Sequence, residues 1–389
     1  MQSQRSPWRP DILARREASL LVGIVSVVIF TIFGGGWLGD LANPVWAFFM
    51  FAWLFAVMLW ASFGVVRHAD GLAVRLGEPF GTLILTLAVI SIEVVMISAV
   101  MVTGEEAPAL ARDTMFAVLM IVLNGMFGLT LVLGGLRHRE QVFNLKSAAA
   151  YLGVLIPLAA MGLVIPRFTE STGDASASPL FATFLILMSV VLYGVFLGLQ
   201  SAQQRHDFQQ PPTPEGDPGA AAGEDDAGED DHAGVEVISV GYHSILLVLT
   251  MLPIVLLSKK MALVVDHGTA ALGAPAALGG FLVAILVLSP EAMAAVRAAM
   301  ANRLQRTVNI ALGSAVATIG LTIPAVLIIG FVTGKKVELG LENVELVLLV
   351  TTILAAMVNF GSGRSTVLQG AIHTLLFLAY VVLVFDVPA

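Results

Sequence analysis

Two glutamates stand alone in the middle of two of the most apolar stretches of this chain. Glu93 lies in LILTLAVISIEVVMISAVMV and Glu291 lies in GGFLVAILVLSPEAMAAV. Each follows a serine two residues earlier, Ser91 and Ser289. A carboxylate at the centre of a lipid bilayer costs several kcal/mol, so such residues usually mark an ion pathway or a proton relay.

The composition places these glutamates in a membrane. Of the 389 residues, 57% are hydrophobic and 12% are charged, whereas a soluble domain carries about 25% charged residues. We therefore expect an all-α polytopic membrane protein. The chain has no cysteine, which excludes disulfides and thiolate metal sites. It also has no GxxxxGK[ST], GxSxG, HExxH or CxxC motif, so we expect no enzyme, no cofactor and no nucleic-acid partner.

The apolar runs predict eleven transmembrane helices, because about 20 apolar residues cross a ~30 Å hydrocarbon core. The runs are 19–39, 44–66, 72–103, 113–136, 147–166, 179–201, 239–257, 270–300, 305–333, 342–360 and 366–386. The two that contain the glutamates would each span about 45 Å as straight helices. Both also contain Gly and Pro. Overlong, interrupted helices at corresponding places in two halves are typical of a transporter binding site.

One long polar stretch, 202–236, divides the chain. It is rich in Pro, Gly, Ala and acidic residues and cannot bury a core, so we expect a flexible tether. The predicted parts are a tail with helix 1 (1–39), a first repeat (40–201), this linker and a second repeat (237–389). Five crossings per repeat make the second repeat start on the opposite side, which predicts two inverted five-helix repeats.

The distribution of basic residues predicts the orientation. With the N-terminus in the cytoplasm, most of the 20 Lys and Arg residues fall in connections on the cytoplasmic side. Basic residues concentrate on that side of membrane proteins. The sequence therefore predicts a cytoplasmic N-terminus and a C-terminus outside.

The two glutamates form the main candidate site. Two carboxylates near the midplane can neutralise one divalent cation, or each can take a proton. Hard cations such as Ca²⁺ prefer oxygen ligands, and a low-dielectric surrounding favours the neutral, protonated carboxyl group. Proton and cation can therefore compete for the oxygens of Glu93 and Glu291.

Small polar residues on the same and neighbouring helices are candidate neutral ligands. They are Ser91, Ser289, Asn124, Ser314 and Thr318. Such residues also mediate close packing of membrane helices, and the sequence leaves both interpretations open. His373, in the last helix, is expected to be a packed or hydrogen-bonded histidine.

Two segments resemble the paired alpha-repeat motifs of the calcium/cation antiporter superfamily. The first runs from LGEPFGTL (76–83) to Glu93, and the second runs from SPEA (289–292) to NIALGS (309–314). The sequence GEPFGTLILTLAV, together with LGGLR (133–137) and ATIGLTIP (317–324), is most similar to bacterial calcium/proton antiporters of the ChaA type.

This resemblance implies a ten-helix core that works by alternating access, preceded by one extra helix. It implies that Glu93 and Glu291 bind both Ca²⁺ and H⁺, and that the chain exchanges these ions across a bacterial inner membrane, surrounded by lipid. Many members carry hydroxyl or amide residues three and four positions before each glutamate, where this chain has Val89, Ile90, Val287 and Leu288. Na⁺/H⁺ or K⁺/H⁺ exchange therefore stays open, as do a cation channel and a non-transporting scaffold.

Overall fold

Helices make up most of the residues that the structure, a computed structural model, describes. These are residues 16–76, 80–103, 108–169, 173, 175–200, 205–211, 238–275 and 277–386. The main helices are α1 (Ala18–Ile32), α2 (Pro44–Leu76), α3 (Phe80–Thr103), α4 (Leu110–His138), α5 (Leu145–Phe168), α6 (Pro179–Gly198), α7 (Val240–Leu272), α8 (Ala277–Met300), α9 (Leu304–Thr333), α10 (Asn343–Phe360) and α11 (Val367–Phe385). Helices α4, α5 and α9 contain π-helical turns at Ile121–Met126, Ala160–Val164 and Thr318–Thr322. The strands are β1 (Glu140–Val142) and β2 (Arg364–Thr366).

The prediction of an all-α membrane protein is confirmed. Nine helices in the described part of the chain are long and apolar enough to cross a membrane. Two shorter apolar segments, Ala18–Ile32 and Leu87–Ser98, lie in α1 and α3. By length and composition, therefore, the predicted count of eleven crossings is not confirmed.

The prediction of two overlong helices around the glutamates is wrong. Helices α3 and α8 are 24 residues each, and the preceding α2 and α7 are 33 residues each. The polar clusters RHAD (67–70) and SKK (258–260) look like membrane exits in the sequence, but α2 and α7 continue through them. Helix α7 ends where Gly273 adopts a φ of +61°, a backbone conformation that glycine takes without steric cost.

Contacts divide the chain into two units. Unit 1 comprises Met1–Gly104 and His232–Leu272, and therefore holds α1, α2, α3 and α7. Unit 2 comprises Glu105–Asp231 and Gly273–Ala389, and holds the other helices. Each unit takes helices from both halves of the sequence, so the units are not the predicted repeats, whose bounds stay a prediction.

In unit 1, the first helices of the two halves run in opposite directions. A Cβ added at Gly64 of α2 would lie 2.9 Å from Thr250 of α7, and one added at Gly71 would lie 2.5 Å from His243. Higher numbers on α2 therefore meet lower numbers on α7. Because these glycines lack side chains, the two antiparallel helices approach closely.

In unit 2, two backbone pairings show the same inversion. Strand β1, between α4 and α5, pairs antiparallel with β2, between α10 and α11. At the other end of α5, Ser176 pairs with Glu338, which lies between α9 and α10. The α4–α5 and α9–α10 connections correspond in the two halves, yet they lie at opposite ends of the unit. Inverted repeats require this arrangement.

The π turns of α4 and α9 are covered in corresponding ways. A Cβ added at Gly125 in the first π turn would lie 3.0 Å from Phe377 of α11. One added at Gly320 in the second would lie 3.2 Å from Tyr193 of α6. Helices α4 and α9 correspond in the two halves, and so do α6 and α11. The packing of the third helix of one half against the last helix of the other half therefore occurs twice.

The start of the acidic stretch is docked on unit 2. The ring of Phe208 lies edge-on to Tyr151 with centroids 5.4 Å apart, and its carbonyl accepts a hydrogen bond from Asn309 Nδ2 at 2.8 Å. The prediction of a free tether is therefore wrong for residues 205–211. The average composition of the stretch is polar and acidic, and it did not predict that the single aromatic residue Phe208 would pack against unit 2. The rest of 202–236 lies outside the described residues.

The absence of native cysteine allows the inversion to be tested with introduced thiols. We expect Glu140→Cys/Thr366→Cys and Ser176→Cys/Glu338→Cys each to form a disulfide under mild oxidation, because paired antiparallel residues have Cα atoms about 4.5–5.5 Å apart. Membrane-impermeant reagents should modify single cysteines at 140 and 338 from opposite faces, since the two pairings lie about 36 Å apart along α5. Gel mobility and labelling of oriented vesicles provide the measurement.

The mismatched pair Glu140→Cys/Glu338→Cys is the control and should not crosslink. Modification of both single cysteines from the same face would contradict the inverted arrangement.

Candidate cation site

Glu93 is buried in unit 1. It lies near the middle of α3, which packs against α2 and α7. Its side chain is 2% exposed, and the preceding Val89 and Ile90 are also buried. The positions that could have carried hydroxyl or amide ligands are therefore filled by apolar side chains inside the protein.

Glu291 is buried in unit 2, near the middle of α8. Its Oε2 accepts a hydrogen bond of 2.8 Å from the hydroxyl of Ser314 on α9. Helix α8 continues through Pro290, which has no N–H to donate to the Leu286 carbonyl one turn earlier. Pro290 therefore leaves the Leu286 carbonyl without its usual helical donor, in the same part of α8 as Glu291.

The two serines next to the glutamates donate to their own helices. Ser91 Oγ donates to the Leu87 carbonyl at 2.5 Å, and Ser289 Oγ donates to the Ile285 carbonyl at 2.5 Å. Residues two apart on a helix do not face each other. Each hydroxyl oxygen can still accept a bond, but its proton is committed to the backbone.

Asn124 lies inside the π turn of α4 and is fully buried. Its Nδ2 donates to Thr352 Oγ1 of α10 at 2.8 Å, and its Oδ1 lies 3.0 Å from His373 Nδ1 of α11. The amide oxygen can only accept, so His373 Nδ1 carries the proton. His373 Nε2 then has a lone pair, and this buried atom has no hydrogen-bond partner among the described residues. Asn124 thus joins three helices, and His373 is hydrogen-bonded.

Thr318 opens the π turn of α9 and is fully buried. Sequence reasoning matched Asn124 with Ser314, because each neighbours a glycine. In the structure, however, Asn124 lies in the π turn of α4 and Thr318 lies in the π turn of α9, whereas Ser314 lies four residues before the second turn. By position, Asn124 therefore corresponds to Thr318. Turns of this kind occur frequently at functional sites. The hydropathy pattern of the sequence gives no indication of either π turn.

A charged cluster at the start of α4 was also missed. Arg112, assigned by the sequence to a connection, lies within α4 and is 8% exposed. Its Nε lies 2.7 Å from Asp113 Oδ1 and 3.9 Å from Glu345 Oε2, and Nη1 donates to the Gly340 carbonyl. Glu345 is distant in sequence, so spacing could not have identified this pair.

The predicted meeting of the Glu93 and Glu291 carboxyl groups joins residues of two different units and stays a prediction. Within unit 2, the structure brings Glu291 together with Ser314, and Asn124 together with Thr352 and His373.

Comparison with known proteins gives consistent matches across the chain. The family described as sodium/calcium exchanger protein matches residues 46–202 and 242–385, which flank the acidic stretch. The sodium-potassium/proton antiporter ChaA of Escherichia coli (strain K12) is 36% identical over 372 residues, which cover 95% of this chain and 96% of that protein. A Ca²⁺/H⁺ antiporter of Aphanothece halophytica is 24% identical over 260 residues, which cover 66% of this chain and 68% of that protein.

The solved structure of native YfkE has the same fold. It superposes with a TM-score of 0.70 at 16% sequence identity, covering 95% of this chain and all of that one. The family match, the relatives and the fold agree with one another over nearly the whole chain. The chain belongs to the sodium/calcium exchanger protein family.

Proposed function

We propose that this protein exchanges Ca²⁺ for H⁺ across a bacterial inner membrane, with Glu93 and Glu291 as the groups for which cation and proton compete. The observation that carries the proposal is the buried carboxyl group of Glu291. Its hydrogen bond comes from the neutral Ser314 hydroxyl, and it forms no ion pair with the residues that the structure describes. A buried carboxylate without a cationic partner needs either a proton or a bound cation.

The oxygens near Glu291 suit a hard cation. Ca²⁺ takes six to eight oxygen ligands, which can include carboxylates, carbonyls and waters. The Glu291 carboxylate, the Ser314 hydroxyl and the Leu286 carbonyl are candidates of these types. Because the cation requires the ionised carboxylate, its binding should release a proton. Exchange then follows from competition for the same oxygens.

The repeat arrangement supports alternating access. Inverted repeats commonly place the substrate site near the midplane and rock about it. The antiparallel α2 and α7, together with the two backbone pairings of unit 2, are consistent with repeats at 40–201 and 237–389. The positive-inside pattern supports a cytoplasmic N-terminus and an external C-terminus.

A monovalent cation is the second candidate cargo. The Escherichia coli relative, 36% identical, is named a sodium-potassium/proton antiporter. The apolar side chains of Val89, Ile90, Val287 and Leu288 supply no oxygens near the glutamates, and all four are buried. Fewer protein oxygens favour a cation of lower charge. Flux of Ca²⁺, Na⁺ and K⁺ measured side by side distinguishes the two cargoes.

Glu93→Gln and Glu291→Gln are each expected to abolish coupled exchange. Glutamine preserves the volume and one acceptor oxygen but can neither carry the charge nor take the proton. The measurement is cation-dependent proton flux in proteoliposomes with Ca²⁺, Na⁺ or K⁺ and an imposed pH gradient. Cation flux without opposing proton flux in the unaltered protein would indicate a channel instead.

Glu140→Gln is the matched control, because Glu140 is an exposed glutamate paired with Arg364 at the protein surface. It should retain the unaltered rate. Full exchange by both buried glutamine variants would contradict the proposal and favour a scaffold.

The Asn124–His373 contact supplies a second test. An asparagine at 373 can place its amide nitrogen near the position of Nδ1, whereas a glutamine places it near Nε2. We expect His373→Asn to retain transport and His373→Gln to raise the cation concentration for half-maximal transport about fivefold, since a hydrogen bond contributes ~1 kcal/mol.

Thermal unfolding of both variants separates this effect from general destabilisation. Equal losses of apparent affinity in His373→Asn and His373→Gln would show that the Nδ1 contact does not position Asn124 for transport.

A further inference from the structure

Unit 1 contains a second buried carboxylate, away from α3. Glu17 lies just before α1, and its side chain is 3% exposed. Its Oε1 accepts a hydrogen bond of 2.7 Å from the Tyr242 hydroxyl, and its Oε2 lies 3.0 Å from His68 Nε2. The Arg67 guanidinium also pairs with Oε2. With His243, these residues form what we call the histidine network, at the end of unit 1 where α1 and α7 begin and α2 approaches its end.

The protons of this network follow a fixed order. The Ile238 amide donates to His243 Nε2 at 3.4 Å, and the Nδ1 atoms of His243 and His68 lie 3.2 Å apart. An amide can only donate and an ionised carboxylate can only accept. His243 therefore carries its proton on Nδ1, and His68 carries its proton on Nε2, facing Glu17. Both imidazoles are neutral in this arrangement.

Arg67 does not change this assignment. Its Nη2 lies 3.4 Å from His68 Nε2, which is farther than the carboxylate oxygen at 3.0 Å. An unprotonated Nε2 would turn a lone pair toward the nearer carboxylate oxygen. Other charged groups near the network are Arg16, whose carbonyl accepts from Arg67, Arg75, which donates to the Ile238 carbonyl, and Asp70, which lies on α2 two residues after His68.

Every imidazole nitrogen of this network already donates or accepts a hydrogen bond, so an additional proton must displace one of these bonds. The two unprotonated nitrogens, His68 Nδ1 and His243 Nε2, each already accept a hydrogen bond. We propose that the His68–His243 pair is a proton-binding site, separate from the two membrane glutamates, whose occupation breaks the contact between α2 and the start of α7. The proton turns one acceptor into a donor, so two N–H groups face each other and the bond is lost.

The other members of the network keep their charge across the range in which histidine titrates, about pH 5–8. Burial alone would raise the pKa of Glu17, but hydrogen bonds from His68 and Tyr242, together with the positive charges of a protonated His68 and of Arg67, bring it down to about 2. Glu17 therefore stays ionised, and arginine stays protonated. The uptake of a proton falls to the two imidazoles.

Gly71 makes the contact sensitive to geometry as well as to charge. A Cβ added at Gly71 would lie 2.5 Å from His243 Cε1 and 2.6 Å from His243 Nδ1. The imidazole would have to move away from α2, which would break the bond to His68. Gly71→Ala thus imitates protonation without adding a charge.

The site also controls how the chain enters α7. Ile238 is the first described residue after the acidic stretch, and its amide and carbonyl are bonded to His243 and Arg75. When the histidine pair takes a proton, the segment beginning at Ile238 loses part of its attachment to α2. The loosened region is therefore 238–245, together with the start of α1 at Glu17.

Hydrogen exchange of the full-length protein in nanodiscs tests this inference. The protection of amides in 16–24 and 238–245, corrected for intrinsic exchange, is compared at about pH 7.5 and pH 5.5. Exchange in the unaltered protein should be about fivefold faster at the lower pH, as the loss of one hydrogen bond implies. Amides in the interior of α5 should show no such change.

Two variants fix the alternative states. His243→Asn can turn its amide N–H toward His68 Nδ1 when His68 is neutral and its amide oxygen when His68 is protonated, so the contact survives and its protection should be the same at both pH values. Gly71→Ala should show the faster exchange at both. Equal protection of the unaltered protein at both pH values, or an unchanged pH response in His243→Asn, would overturn the proposal. If Gly71→Ala does not fold, the comparison with His243→Asn still decides. The readout does not involve transport, so its outcome is independent of the proposed function.

Discussion

The rest of the structure depends on the cost of placing a carboxyl group inside an apolar helix. Glu291 is 8% exposed and receives a neutral hydrogen bond from Ser314. Its negative charge therefore has no fixed compensation among the described contacts. A group in this state is stable when protonated or when it holds a cation. The proposed competition between cation and proton at Glu291 rests on this requirement.

Inversion is the second feature on which the proposal depends. Helices α2 and α7 have the same length and run in opposite directions, and the strand pairings of unit 2 join non-corresponding connections. The π turns of α4 and α9 are each covered by an aromatic residue from the last helix of a half, so the two halves share this packing arrangement. The histidine network lies on α2 and α7, the first helices of the two halves, together with Glu17, and includes neither Glu93 nor Glu291.

Much of the fold could be predicted from the sequence, because lipid allows few alternatives to helices of sufficient apolar length. The lone glutamates predicted a site, which stays a prediction, and the odd number of crossings per half predicted the inversion. Helix ends were less predictable, since Arg67 and His68 are polar yet lie within α2, where Glu17 and His243 satisfy them. The partners of Asn124 could not be read from the sequence either. Thr352 and His373 lie on distant helices, and π turns leave no hydropathy pattern.

The central claim is that cation and proton compete for the same carboxyl groups. Titration calorimetry of Ca²⁺ binding, in two buffers of different ionisation enthalpy at about pH 6 and pH 8, tests it most directly, because ionisation of a ligand couples binding to proton release. The account predicts weaker binding at the lower pH and a heat that depends on the buffer in proportion to the protons released. An affinity that is independent of pH, with the same heat in both buffers, would contradict competition even if transport were observed.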